Sequence, residues 1–128
     1  MRSLDYYEKR ISSIITQNSN NKDCREYMEF FRATSNYSLN KERLSNKQDP
    51  DRQLTCLKMK QQALLELEAV IPEMRNADAP EIFNKIAADL EAISVIVEEE
   101  LSETAAAIVV VARNLLSAQN RGPSVTKQ

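Results

Sequence analysis

The residue types that most often carry catalysis are scarce in this 128-residue chain. It has no histidine, which removes the commonest general base, the Ser-His and Cys-His nucleophile pairs and the Glu-x-x-His ligands of di-iron bundles. Its two cysteines, Cys24 and Cys56, are far apart and have neither zinc nor redox spacing. One glycine, Gly122, cannot build a loop that cradles phosphates. Asp49-Pro50-Asp51 opens like a calcium loop, but the positions that require glycine and glutamate are Leu54 and Lys60. Glu98-Glu99-Glu100 with Glu103 could at most hold a divalent cation weakly. Successive helical residues point ~100° apart, so these carboxylates diverge and read as a solvated face. We therefore expect no catalytic residue, no metal ligand and no cofactor, and the chain reads as a non-enzyme.

Binding is the chemistry that remains. The cations Lys41, Arg43, Lys47 and Arg52, followed by Lys58 and Lys60, are the best candidate for nucleic-acid contact, being basic and near aromatics. Glu42, Asp49 and Asp51 interrupt them, and the net charge is −2, whereas phosphate-binding modules carry a clear basic excess. Nucleic acid is thus the alternative reading, a small regulator using the N-terminal half. The charge is uneven: residues 1–60 hold twelve Lys/Arg and eight Asp/Glu, residues 61–128 five and eleven. Six of the seven aromatics fall in the first 37 positions. Halves of opposite charge more often pack on each other than mark a partner site.

The segment Ala105-Ala106-Ala107-Ile108-Val109-Val110-Val111-Ala112 carries the stronger signal. A surface helix has one apolar stripe, but eight successive apolar residues cover every side of two turns. Two readings account for it: the central helix of a bundle, or a helix that a second subunit or partner completes. On the second reading Ala106, Val109 and Val110 are interface candidates, joined by the aromatic residues Tyr6 and Phe30.

The elements that must position these residues are all helices. Without a glycine before position 122 the chain can hardly make several hairpins, and helix formers dominate. Ser3 caps a first helix running to about Gln17, with Leu4, Tyr7, Ile11, Ile14 and Ile15 on its apolar face. A second helix starts near Lys22 or Asp23 and weakens at Thr34-Ser35-Asn36, where it either continues or restarts at Ser38. Asp49-Pro50 opens a third, with Leu57, Leu64, Ile71 and Met74 on one stripe, ended or kinked by Pro72. Asp78-Ala79-Pro80-Glu81 repeats the start signal as a capping box.

From Pro80 the stripe Ile82, Ile86, Leu90, Ile93, Val97, Leu101, Thr104, Ile108, Val111, Leu115 advances nine steps in 33 residues. That period fits a straight helix better than a coiled-coil strand. The helix is either unbroken or recapped at Ser102. Arg121-Gly122-Pro123 is a stop signal, which gives a bundle domain over 1–121 and a flexible tail over 122–128.

The expected fold is thus an all-α, single-domain bundle of four to five helices with a long last helix. Its core is led by Leu57, Leu64, Ile71, Ile86, Leu90, Ile93, Val97, Ile108 and Leu115. The first residues lack the apolar run of a signal peptide, and the longest apolar run is too short to span a bilayer. Free cysteines in a cytoplasmic protein are expected, with a single Cys24–Cys56 bridge as the alternative. The expected function is a non-catalytic protein–protein interaction module of adaptor, chaperone or inhibitor type, binding a protein partner or itself. A homodimer through the C-terminal helix is one form of it.

Overall fold

A computed structural model describes the backbone of residues 2–126 and the side chains of residues 2–119. Those residues form four α-helices, α1 (Leu4–Asn18), α2 (Arg25–Ser45), α3 (Pro50–Glu73) and α4 (Pro80–Thr126), with a 3-10 turn at Met74–Asn76. No strand occurs among them.

The helix starts follow from local chemistry. The Ser3 hydroxyl accepts from Tyr6 N–H at 3.2 Å, and the Asp49 carboxylate from Arg52 N–H at 2.9 Å, each relieving an orphan donor of the first turn. Pro50 at the first helical position of α3 has no N–H to satisfy. α2 begins at Arg25, later than Lys22 or Asp23, because Lys22 and Asp23 are taken into a turn closed by Cys24 N–H on the Asn21 carbonyl. α2 then runs unbroken through Thr34-Ser35-Asn36. Thr34 and Asn40 bond back to the Phe31 and Asn36 carbonyls within the helix, and the Ser35 and Asn36 side chains are exposed to solvent, so this polar stretch does not end it.

At the α3–α4 corner Pro72 sits in the last turn of α3, and the chain tightens into the 3-10 turn. Asp78 is expected to cap α4 but lies one residue before the cap position, which Ala79 takes. The first helical N–H groups bond the Ala79 carbonyl, and the Asp78 carboxylate takes Ala79 N–H and the Ser19 hydroxyl. With Asn21 donating to the Ala77 carbonyl at 2.7 Å, this ties the α1–α2 loop to that corner. Burial first, and the nearby Asp78 charge second, push the Tyr27 hydroxyl up to about 12.

Consecutive helices run antiparallel. Arg25 at the start of α2 meets Glu73 at the end of α3 at 3.6 Å, and Lys60 of α3 meets Glu100 of α4 at 2.9 Å. Arg10 of α1 meets Asp89 at 3.2 Å, and Lys85 donates to Asn18 at 2.9 Å. α4 therefore lies between α3 and α1, and one core runs through all four helices, built on Ile11, Phe30, Leu64, Leu67, Ile86 and Ile93. Of the expected core leaders, Leu57, Leu64, Ile86, Leu90, Ile93 and Val97 are buried, but Ile71, Ile108 and Leu115 are only half-buried. Val70 takes the inner position beside Pro72, and the other two lie past the end of α1.

α4 keeps helical backbone through Leu101-Ser102-Glu103 and past Gly122-Pro123 to Thr126. A proline and a glycine each weaken a helix, but neither forces the chain out of helical torsions at its end. Residues 127 and 128 of the expected tail lie outside the described residues.

Candidate functional site

α4 has 47 residues, so at ~1.5 Å per residue it is about 70 Å long. α1 has only 15 residues and about a third of that length. The two run antiparallel, and α1 covers one flank of α4 from Lys85 upward until it ends at Leu4. An open cleft lined by Ser3, Leu4, Tyr37, Lys41 and Ser45 marks that end against α2. Beyond it the inward stripe of α4 still packs: Thr104 and Val111 are buried. The flank that α1 would have covered is bare.

Past that level Ala105, Ala106, Val109 and Val110 are all exposed, as is Leu116 nearly two turns beyond Val110. At ~100° per residue Val110 continues the line that α1 covers lower down, and Ala106 lies beside it. Ala105, Val109 and Leu116 lie further round, on the side of α4 that faces solvent. Val109 is 48%, Val110 57% and Leu116 59% exposed. The eight-residue apolar run is thus not wrapped on every side by its own chain, which corrects the bundle-centre reading. Arg113 projects from the same surface, with Glu103 on the other side of the apolar residues in sequence, both exposed.

The five sequence-predicted interface residues do not form one patch. Ala106, Val109 and Val110 share the bare segment. Tyr6 lies on α1 at 38% exposure, edge-on to Tyr7 and flanked by the Arg2 and Arg10 guanidinium groups. Phe30 is 0% exposed and packs in the core. It falls on the buried side of α2 with Ala33, Thr34 and Tyr37, so it is removed from the interface.

Below the bare segment lies a polar layer that the sequence reading missed. Glu100, read there as part of a solvated acidic face, turns inward to Lys60, with side chains 20% and 14% exposed. Glu98, Glu99 and Glu103 do stay in solvent. Tyr37 completes the layer, with the Lys60 and Lys41 ammonium groups 5.8 and 5.7 Å from its ring centre. Burial alone would raise the Glu100 carboxyl, but the hydrogen bond and charge of Lys60, the Tyr37 hydroxyl and Lys41 outweigh it and hold it below its ordinary value. Burial and the Glu100 charge together push the Tyr37 hydroxyl up. A signal existed: Glu100 is three residues after Val97 and four before Thr104, which places it on the inward stripe.

The cations Lys41, Arg43, Lys47 and Arg52 are all exposed around the α2–α3 corner, but Glu42, Asp49 and Asp51 are exposed among them. The corner has mixed charge rather than a basic face. Cys24 and Cys56 are free thiols. Cys24 lies beside the end of α3 and Cys56 near its start, about 25 Å apart along the helix and far beyond bonding reach. Among the described residues no three carboxylates or thiols are grouped to hold a metal ion, and no helix is long and apolar enough to cross a membrane. Compared with known protein families, curated proteins and solved structures, the chain matches none.

Proposed function

We propose that the chain is a non-catalytic protein–protein interaction module of adaptor, chaperone or inhibitor type that binds through the bare flank of α4. The observation that carries this reading is the exposure of Ala105, Ala106, Val109 and Val110 within two turns of one helix, with Leu116 exposed beyond Arg113. Single exposed apolar side chains are ordinary, whereas a continuous apolar surface flanked by charges marks a contact site. The polar layer, with Lys60 of α3 paired to Glu100 of α4, lies just below that surface. The chain has no histidine, the commonest general base, which favours binding over catalysis.

The test is capture from an extract of the native host, with wild-type protein and Val110→Glu as baits. A protein retained by the wild type and lost by a variant of unchanged helicity supports the reading. Identical sets on both baits would overturn it.

A further inference from the structure

We propose that the occupant of the bare flank is a second copy of this chain, its α4 antiparallel to the first about a two-fold axis crossing at the level of Ile108. The inference rests on the reading of that flank as a protein-binding face.

Two independent observations lead there. The first is continuity with an interface already made inside the chain. Asp89, Ile96, Glu103 and Val110 recur every seven residues and so lie nearly in line along α4. α1 covers the lower part of that line, with Arg10 on Asp89 at 3.2 Å, and Ile96 packs against the core. Glu103 and Val110 continue the same line into solvent. An entering helix that runs antiparallel to α4 repeats the direction of α1 and extends its packing.

The second observation is charge. Ala106 and Val110 are each two residues from Ile108, and Glu103 and Arg113 are each five residues from it. All four are exposed. A two-fold axis perpendicular to α4 at Ile108, on the side facing away from that residue, therefore sets Ala106 against Val110 of the second copy. It also sets Glu103 against the second copy's Arg113, and Arg113 against its Glu103. Within one chain these two charges lie about 15 Å apart along the helix and cannot pair. Alanine at the crossing lets the backbones approach, and an isologous contact makes each favourable pair twice. A parallel arrangement would set Glu103 on Glu103 and Arg113 on Arg113. A contact of about four turns is smaller than the ~800 Å² per partner of a standard interface, so the dimer is weak and sensitive to salt.

Sedimentation velocity at low salt tests this on wild type, Glu103→Arg, Arg113→Glu, the double variant and an equimolar mixture of the two single variants. Circular dichroism checks that each keeps its helicity; both positions are exposed. The wild type should dimerise, and each single variant should raise the dissociation constant about tenfold by opposing like charges twice. The double variant should recover near-wild-type association, and the mixture should form a heterodimer. A wild type that stays monomeric at millimolar concentration overturns the inference, as do single variants that associate like wild type or a double variant no better than the singles. In any of those cases, capture of another protein that Val110→Glu abolishes would leave the binding reading standing. If that capture is unaffected by Val110→Glu, the binding reading falls with it.

Discussion

Replacing Lys60 with methionine tests whether the polar layer at Tyr37, Lys60 and Glu100 holds the upper bundle together. The ion pair is 2.9 Å long, with side chains 14% and 20% exposed. At an effective dielectric of ~20 the attraction is roughly 6 kcal/mol, against a desolvation cost of several kcal/mol for each ion, so the pair as a whole contributes close to zero. Removing one member is different. Lys60→Met keeps the stem but leaves a mostly buried Glu100 carboxylate with only the Tyr37 hydroxyl and the more distant Lys41. The cost should be ~2–3 kcal/mol, below the 3–5 kcal/mol typical of a fully buried pair because some water still reaches both groups. For a chain of this length that is a fall of about 10 °C in Tm. Glu100→Gln should cost less, ~1–2 kcal/mol, because Lys60 retains the Tyr37 ring. Lys60→Met/Glu100→Met should return to within about 1 kcal/mol of wild type. Urea unfolding followed by circular dichroism on the four proteins measures the cycle. A cost below about 0.5 kcal/mol for Lys60→Met would mean that solvent screens the pair, and the reasoning would fail.

The same pair sets an acid limb. Glu100 is held below its ordinary carboxyl value in the folded state, so its contribution is complete above the unfolded pKa and lost as pH falls through the folded one. Glu100→Gln should flatten the fall in stability below about pH 4.5, read from urea midpoints against pH. Phe30, completely buried, should cost ~3–5 kcal/mol on truncation to alanine without affecting association at the α4 flank. Both cysteines should alkylate in unfolded, unreduced protein, and in the native state half-buried Cys24 should react before buried Cys56. At physiological salt the mixed-charge α2–α3 corner should retain neither DNA nor RNA in filter binding; retention lost on changing Lys41 and Arg43 to glutamate would revive the nucleic-acid reading.

Much of the fold was legible in residue patterns because helix starts are local chemistry. Ser3, Asp49 and Pro50 act within one turn of themselves, and the ten-residue stripe of α4 follows from periodicity alone. What was not legible depends on neighbours distant in sequence. Asp78 is drawn out of its capping role by Ser19, 59 residues earlier. Asp89 is buried although charged because Arg10 reaches it from α1. Phe30 and Tyr6 have similar aromatic credentials in sequence, yet their positions relative to the core place one inside and one at the surface. The incomplete cover of residues 105–112 was an open question in sequence, since it turns on how far α1 extends along α4.

Val110 decides the central claim most directly, because a charge there separates a binding face from a core position. Sedimentation velocity and thermal circular dichroism on Val110→Glu, beside wild type, should show a folded, soluble protein whose Tm is unchanged and whose association is lost. A variant that unfolds or aggregates would mean that the carboxylate has been buried and that the flank is core. A folded variant that associates as strongly as wild type would mean that the contact lies elsewhere.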